Sequence, residues 1–126
     1  MDSTLSNKTG ETLLVYGPKQ TGESMDNSLF FLPTGRKTPD DWDCDGFYVP
    51  NDRVADQALT DKNGPLAIKY RDYRSPEITK SSGTHYKCHL NEGAYAPGEI
   101  NWEIPNIPIA SVPGAYPEVP NHIPAT

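Results

Sequence analysis

The chain has 126 residues, a formal net charge of −6 and only 35% hydrophobic residues. This length predicts one domain with its own core. The acidic balance argues against nucleic acid as a ligand, because phosphates would be repelled.

Three continuous apolar runs predict the first strands. They lie at 12–16, 29–32 and 47–49, and each ends at a glycine or proline. Short runs of this kind are typical of strands buried on both faces, or of edge strands with one apolar face outward. The 13 prolines and 10 glycines of the chain favour turns and extended segments over long helices.

A short helix is predicted between the cap candidates Asn51 or Asp52 and a stop at Gly64. Its apolar stripe would consist of Val54, Ala55, Ala58 and Leu59.

Three later segments alternate between apolar and polar residues. They lie at 66–71, 84–90 and 99–104, and the last of them would place Trp102 inward between Ile100 and Ile104. Alternation with a polar outer face predicts half-exposed antiparallel strands. Together the six segments predict an all-β fold, an antiparallel β-sandwich or small barrel with one short helix.

The composition changes at Pro105. Six of the 13 prolines fall in the last 22 residues, so residues 105–126 are predicted to form an extended tail rather than a helix or an interior strand. The tail is also apolar, which predicts that it packs on a surface. We therefore divide the chain into a β-sandwich domain, 1–104, and a proline-rich tail, 105–126, which packs on that domain or on a neighbouring subunit.

An aspartate-rich loop has the spacing of a calcium site. From Asp41 it reads D-x-D-x-D-G followed, after five residues, by Asp52. The predicted ligands are Asp41, Asp43, Asp45, the carbonyl of Phe47 and Asp52, with calcium as the one cofactor.

The loop resembles the calcium loops of EF-hands, and also those of dockerins and thrombospondin repeats, whose final acid is often Asp. The resemblance covers twelve residues and implies no family. Pro39 forbids a preceding helix, and Pro50 lies inside the loop. The alternative is a solvated turn in which the aspartates accept backbone hydrogen bonds.

Three aromatic residues, Trp42, Tyr48 and Tyr73, are candidate binding residues. Aromatic rings stack on sugar rings, while nearby carboxylates accept their hydroxyl groups. Trp42 and Tyr73 lie in predicted loops, and for that reason we expect both to be exposed. Packing in the core is the alternative for each of the three.

The two cysteines, Cys44 and Cys88, are too few for a disulfide scaffold. They form either one bridge or two buried thiols. No signal core is seen at the N-terminus, which predicts a cytoplasmic location, with leaderless export and a trimmed signal peptide left open. No apolar segment is long enough to span a membrane.

No catalytic motif is present in the sequence, so a non-enzymatic binding module is the leading hypothesis. Its partner would be a protein or a glycan, and the chain would be a monomer or an oligomer formed through the tail. One alternative is a small bacterial or phage toxin subunit, immunity protein or inhibitor with one tight protein partner. A small hydrolase is the other.

Overall fold

A computed structural model describes residues 3–19, 28–56, 62–71, 73–90, 93–100 and 102–125. These residues form two β-sheets and one short helical segment, which confirms the predicted all-β fold. In chain order the strands are β1 (Ser6–Asn7), β2 (Leu13–Gly17), β3 (Ser28–Leu32), β4 (Arg36–Lys37), β5 (Gly46–Val49), β6 (Val54–Ala55), β7 (Lys62–Asn63), β8 (Leu66–Lys69), β9 (Glu77–Ser82), β10 (His85–Lys87), β11 (Gly93–Tyr95) and β12 (Ile123–Pro124).

The smaller sheet has five antiparallel strands in the order β11-β8-β5-β2-β3. The larger sheet has the order β12-β4-β1-β9-β10-β6-β7. It is not purely antiparallel, because β1 pairs with β9 and β10 with β6 in parallel. The predicted antiparallel pairing therefore holds for the five-stranded sheet and only partly for the seven-stranded one.

The main core lies between the two sheets. Val15, Phe47 and Ile68 of the five-stranded sheet share one buried cluster with Ile78 and Tyr86 of the seven-stranded sheet. The rings of Phe47 and Tyr86 meet across the sandwich with centroids 6.2 Å apart. This burial of apolar side chains is the dominant force that holds the sheets together.

The five-stranded sheet is also buried on its outer face. Alternate residues of its central strands, including Leu14, Tyr16 and Tyr48, form a second buried cluster with Val112. Both faces are therefore apolar, which explains why β2 and β5 are continuous apolar runs. Further residues packed against this cluster are Ile100, Trp102, Ile104, Ile107, Ile109 and Tyr116.

The C-terminal residues run from one sheet to the other. Val119 donates its N–H to Phe31 O at 2.8 Å beside β3, and β12 then pairs with β4 at the edge of the seven-stranded sheet. Because β12 is an edge strand, Pro124 leaves no interior ladder position unpaired. The division of the chain at residue 105 stays a prediction.

The described residues of the predicted short helix are not helical. Val54 and Ala55 form a strand, β6, instead of a helical stripe, and 57–61 lie outside the described residues. The helical segment is found in the tail, as a 3₁₀ turn at Ile109–Ser111 followed by α1 at Val112–Ala115. The prediction of a tail without helix was wrong because Pro113 lies in the first helical turn, where its missing N–H is not needed.

The segment 99–104 is not a strand in its described residues, so that strand prediction was wrong. Its apolar side chains still pack inward, on the outer face of the five-stranded sheet. Alternation predicted their burial, but among the described residues no strand pairs with this segment. Within the described parts of the chain, no helix has the length and apolar composition needed to span a membrane.

Candidate functional site

The first part of the aspartate-rich loop is held by main-chain and side-chain hydrogen bonds. Asp43 Oδ1 accepts a hydrogen bond from Ser3 N at 3.0 Å. Asp45 donates its N–H to Tyr16 O at 2.7 Å, and its carbonyl accepts from Tyr70 N at 2.9 Å. Asp41 is exposed. These contacts fix the loop between the N-terminus and β8.

The predicted calcium ligands are not brought together. Phe47 lies within β5, which extends over about 13 Å and separates Asp45 from Asp52. Asp52 Oδ1 accepts from Ile109 N at 3.0 Å and so holds the tail. No group of three or more His, Cys, Asp or Glu side chains in the described residues is arranged to hold a metal ion. The calcium site stays a prediction, for which the described residues provide no cluster of three acidic side chains.

Gly46, the glycine of the D-x-D-x-D-G spacing, is required by a contact between two strands. It lies in β5, where an added Cβ would be 1.9 Å from Ile68 O on β8. The close approach of two strand backbones is what requires glycine here. The D-x-D-x-D-G spacing thus arises from a loop that enters a buried strand.

Two of the three candidate binding residues are buried, so our expectation that Trp42 is exposed was wrong. Trp42 is 0% exposed and donates its Nε1–H to Pro18 O at 2.7 Å. Tyr48 is also 0% exposed and donates its hydroxyl to Pro105 O at 2.5 Å. Both side chains stabilise the fold and are not accessible to a ligand.

Tyr73 is different, because 70% of it is exposed. Its backbone has φ 66°, in the left-handed region that non-glycine residues rarely adopt. Holding a residue there costs of the order of 1 kcal/mol, and such positions cluster at functional sites. The position of this ring is therefore maintained by the surrounding structure.

Tyr73 lines an open cleft of about 580 Å³, which we call the Tyr73 cleft. Its lining residues are Asp45, Lys69, Tyr70, Arg71, Tyr73 and Arg74. Three of these side chains are cationic and one is a carboxylate. The described lining of the cleft is therefore net positive, within a chain whose net charge is −6.

Ser3 holds the loop that carries Tyr73. Its hydroxyl donates to Arg71 O at 2.7 Å and accepts from Arg74 N at 3.2 Å. Its own backbone pairs with Asp43 Oδ1 and with Cys44 N. Since Ser3 is only 2% exposed, one buried residue joins the aspartate-rich loop to the rim of the cleft.

A second cavity of about 310 Å³, the Trp102 pocket, lies beside the cleft. It is lined by Lys69, Tyr95, Glu99, Ile100 and Trp102. Lys69 lines both cavities, and its Nζ lies 5.1 Å from the centroid of the Trp102 ring. This distance is within the range of a cation–π interaction. Lys69 therefore connects the two cavities.

A separate charged group, which we call the Glu11 network, consists of Glu11, Arg53, Lys80 and Tyr86. Arg53 binds the Glu11 carboxylate with two N–H groups, at 2.9 and 3.0 Å, while Lys80 and Tyr86 also donate to it. Burial alone would raise the pKa of Glu11, but the hydrogen bonds from Arg53, Lys80 and Tyr86 outweigh it and lower the pKa to about 2. A carboxylate held ionised in this way is a poor general acid or base at neutral pH.

The two cysteines are buried and not bridged. Burial raises the pKa of the Cys44 thiol, and that of the Cys88 thiol is raised for the same reason. Because the thiolate is the reactive form, both thiols are poor nucleophiles.

The sequence indicated Tyr73 as a candidate binding residue but did not indicate which residues surround it. Lys69, Arg71, Arg74 and Ser3 were not predicted to act together, although Arg71 to Arg74 carries two arginines and a tyrosine in four residues. Comparison with protein-family models, curated proteins and solved structures finds no match to this chain.

Proposed function

We propose that the chain is a non-enzymatic binding module that holds a glycan in the Tyr73 cleft. The observation that carries the proposal is the exposed ring of Tyr73, held in a left-handed backbone conformation at the rim of an open cleft. Exposed rings provide a flat apolar face on which a sugar ring stacks.

The polar groups of the cleft support a ligand rich in hydroxyl groups. Asp45 accepts hydrogen bonds, whereas Lys69, Arg71 and Arg74 donate them. A sugar needs both kinds of partner around its ring. The combination of one exposed ring with donors and acceptors is therefore better suited to a glycan than to an apolar molecule.

Binding rather than catalysis is supported by the state of the reactive groups. Cys44 and Cys88 are buried thiols with raised pKa values, and the Glu11 carboxylate is saturated by its partners. The Tyr73 cleft is open to water, which is unfavourable for chemistry that requires a dry site.

The test is a glycan array probed with the wild-type chain and with two variants. Tyr73→Asn removes the ring, and asparagine adopts the left-handed conformation more readily than tyrosine does. Tyr73→Phe keeps the ring and is the matched control. We expect wild type and Tyr73→Phe to bind with micromolar-to-millimolar affinity, and Tyr73→Asn not to bind.

Binding that survives in Tyr73→Asn would place the ligand elsewhere. An array without any hit, together with co-purification of one tight protein partner, would replace the glycan proposal with the inhibitor or immunity-protein hypothesis. Both results are distinct from the expected one.

A further inference from the structure

The charges of the Tyr73 cleft indicate which glycans it selects, an inference that rests on the proposed function. We propose that the cleft binds a sugar residue that carries one acidic group, a carboxylate or a sulfate. The Trp102 pocket beside it then takes the next, uncharged residue of the same saccharide.

The acidic group is assigned to the Tyr73 cleft because its cations come from one short loop and the adjacent strand end. Arg71 lies two residues before Tyr73, Arg74 lies directly after it, and Lys69 ends β8. A guanidinium pairs with carboxylate or sulfate oxygens through two parallel hydrogen bonds. Whatever else these side chains contact, their charges make the electrostatic potential more positive at the place where a sugar stacked on Tyr73 would lie.

The neutral residue is assigned to the Trp102 pocket because a carboxylate lies there. Glu99 lines this pocket and accepts a hydrogen bond from Ala96 N at 2.8 Å. It would repel a second acidic group but accept a hydroxyl. Ile100 and the half-buried Trp102 supply the apolar part of the lining, and Lys69 borders both sugar residues.

The number of charges on the ligand follows from the charge of the whole chain. At physiological salt the Debye length is about 8 Å, so one acidic group in the cleft interacts mainly with the nearby cations. A long polyanion extends over the rest of a surface whose net charge is −6. Repulsion between the polyanion and this acidic surface would offset the attraction that it gains in the cleft.

The two tryptophans allow binding to be followed directly. Trp42 is fully buried, whereas Trp102 lines the pocket. A sugar that covers Trp102 changes its fluorescence and leaves Trp42 unaffected. Trp102→Phe removes this reporter and identifies the source of the signal.

The experiment titrates the full chain with lactose, sulfated lactose, sialyllactose and heparin at about 0.15 M salt. We expect each acidic lactose to bind about tenfold more tightly than lactose, the effect of one charge-assisted hydrogen bond. The sulfated and sialylated sugars separate sulfate from carboxylate as the source of the charge. Raising the salt should weaken the acidic sugars and leave lactose unchanged.

Arg71→Gln should reduce the preference for acidic sugars to about twofold or less, because it removes one charge-assisted pair. Lys87→Gln removes an equally exposed cation on β10 and is the matched control, for which the preference should stay at about tenfold.

Equal affinities for lactose and its acidic forms would overturn this inference and leave the proposed function intact. Heparin that binds more tightly than the acidic lactoses would overturn the single-charge assignment. Absence of binding by every sugar would overturn the inference together with the proposed function.

Discussion

The Glu11 network and the Tyr73 cleft use similar residues in opposite ways. In the Glu11 network, one carboxylate receives hydrogen bonds from Arg53, Lys80 and Tyr86, and little of it is exposed. In the Tyr73 cleft, three cations and one carboxylate surround an open volume beside an exposed ring.

The role of a charged residue depends on whether its surroundings leave room for an external group. A network whose partners are all supplied from within the chain contributes to stability and has no capacity for a ligand. A cleft that leaves an open volume beside its charged groups has room for an external group. Variants in the two regions should therefore separate stability from binding.

The largest effect is expected from Glu11→Gln. It leaves the Arg53 and Lys80 charges without their shared carboxylate, so we expect a loss of about 3 kcal/mol in the free energy of unfolding. Urea denaturation with an unchanged m-value measures it. The control is Glu77→Gln, since the Lys8–Glu77 pair is also 3.0 Å long but exposed, and should cost below about 1 kcal/mol.

Equal losses in the two variants would show that burial does not distinguish these ion pairs. Glycan binding at neutral pH should be unchanged in folded Glu11→Gln.

Acid should remove the same stabilisation. The pKa of Glu11 is lowered from 4.5 to about 2 by folding, so its contribution is present above pH 4.5 and is lost as the pH falls towards 2. The stability of wild type minus that of Glu11→Gln should therefore shrink over this window. A difference that stays constant from pH 5 to about 2 would contradict the assigned pKa.

Ser3→Ala should affect both stability and binding. It leaves the Arg71 carbonyl and the Arg74 N–H without their buried partner, which costs about 1–2 kcal/mol. The loop that carries Tyr73 is then less well ordered, and glycan affinity should fall with it. Ser75→Ala is the control, because Ser75 is exposed and bonds only at 3.2 Å to Thr4 Oγ1 among the contacts described.

If Ser3→Ala is destabilised but binds the glycan with unchanged affinity, the hydroxyl stabilises the fold without preorganising the cleft. That result would show that the contacts of Ser3 are not needed for binding at the proposed site.

Calcium should have the smallest effect. The five predicted ligands are not brought together, so millimolar calcium should leave the melting temperature unchanged relative to chelator. A ligand at a hundredfold excess over its dissociation constant would stabilise the native state by about 2.7 kcal/mol. A calcium-dependent rise in the melting temperature that Asp43→Ala abolishes would contradict this expectation and show that the aspartate-rich loop binds calcium.

The fold was predictable where burial follows local pattern. The runs at 12–16 and 47–49 are strands because both faces of their sheet are covered. Local pattern could not predict which segments cover them. Segment 99–104 has the same alternation as a strand but packs on a sheet face. Pro113 lies in the first turn of a helix, in a tail whose prolines argued against helix formation.

The candidate site was predictable only in part, because exposure depends on distant residues. Trp42 and Tyr73 both follow polar loop sequences. Trp42 is buried by Phe30, with ring centroids 5.5 Å apart, and by Pro18, whereas Tyr73 stays exposed. Nothing local indicates either outcome. The calcium spacing is subject to the same limit, since its glycine, Gly46, serves a strand contact set by Ile68.

Whether Tyr73 is kept for recognition is tested by comparing Tyr73→Asn with wild type in two measurements on the same sample. We expect a melting temperature that is unchanged or slightly higher, since the left-handed backbone costs asparagine less, together with the loss of glycan binding. Retained binding, or a loss of binding that accompanies unfolding, would contradict the assignment of Tyr73 as a residue kept for recognition.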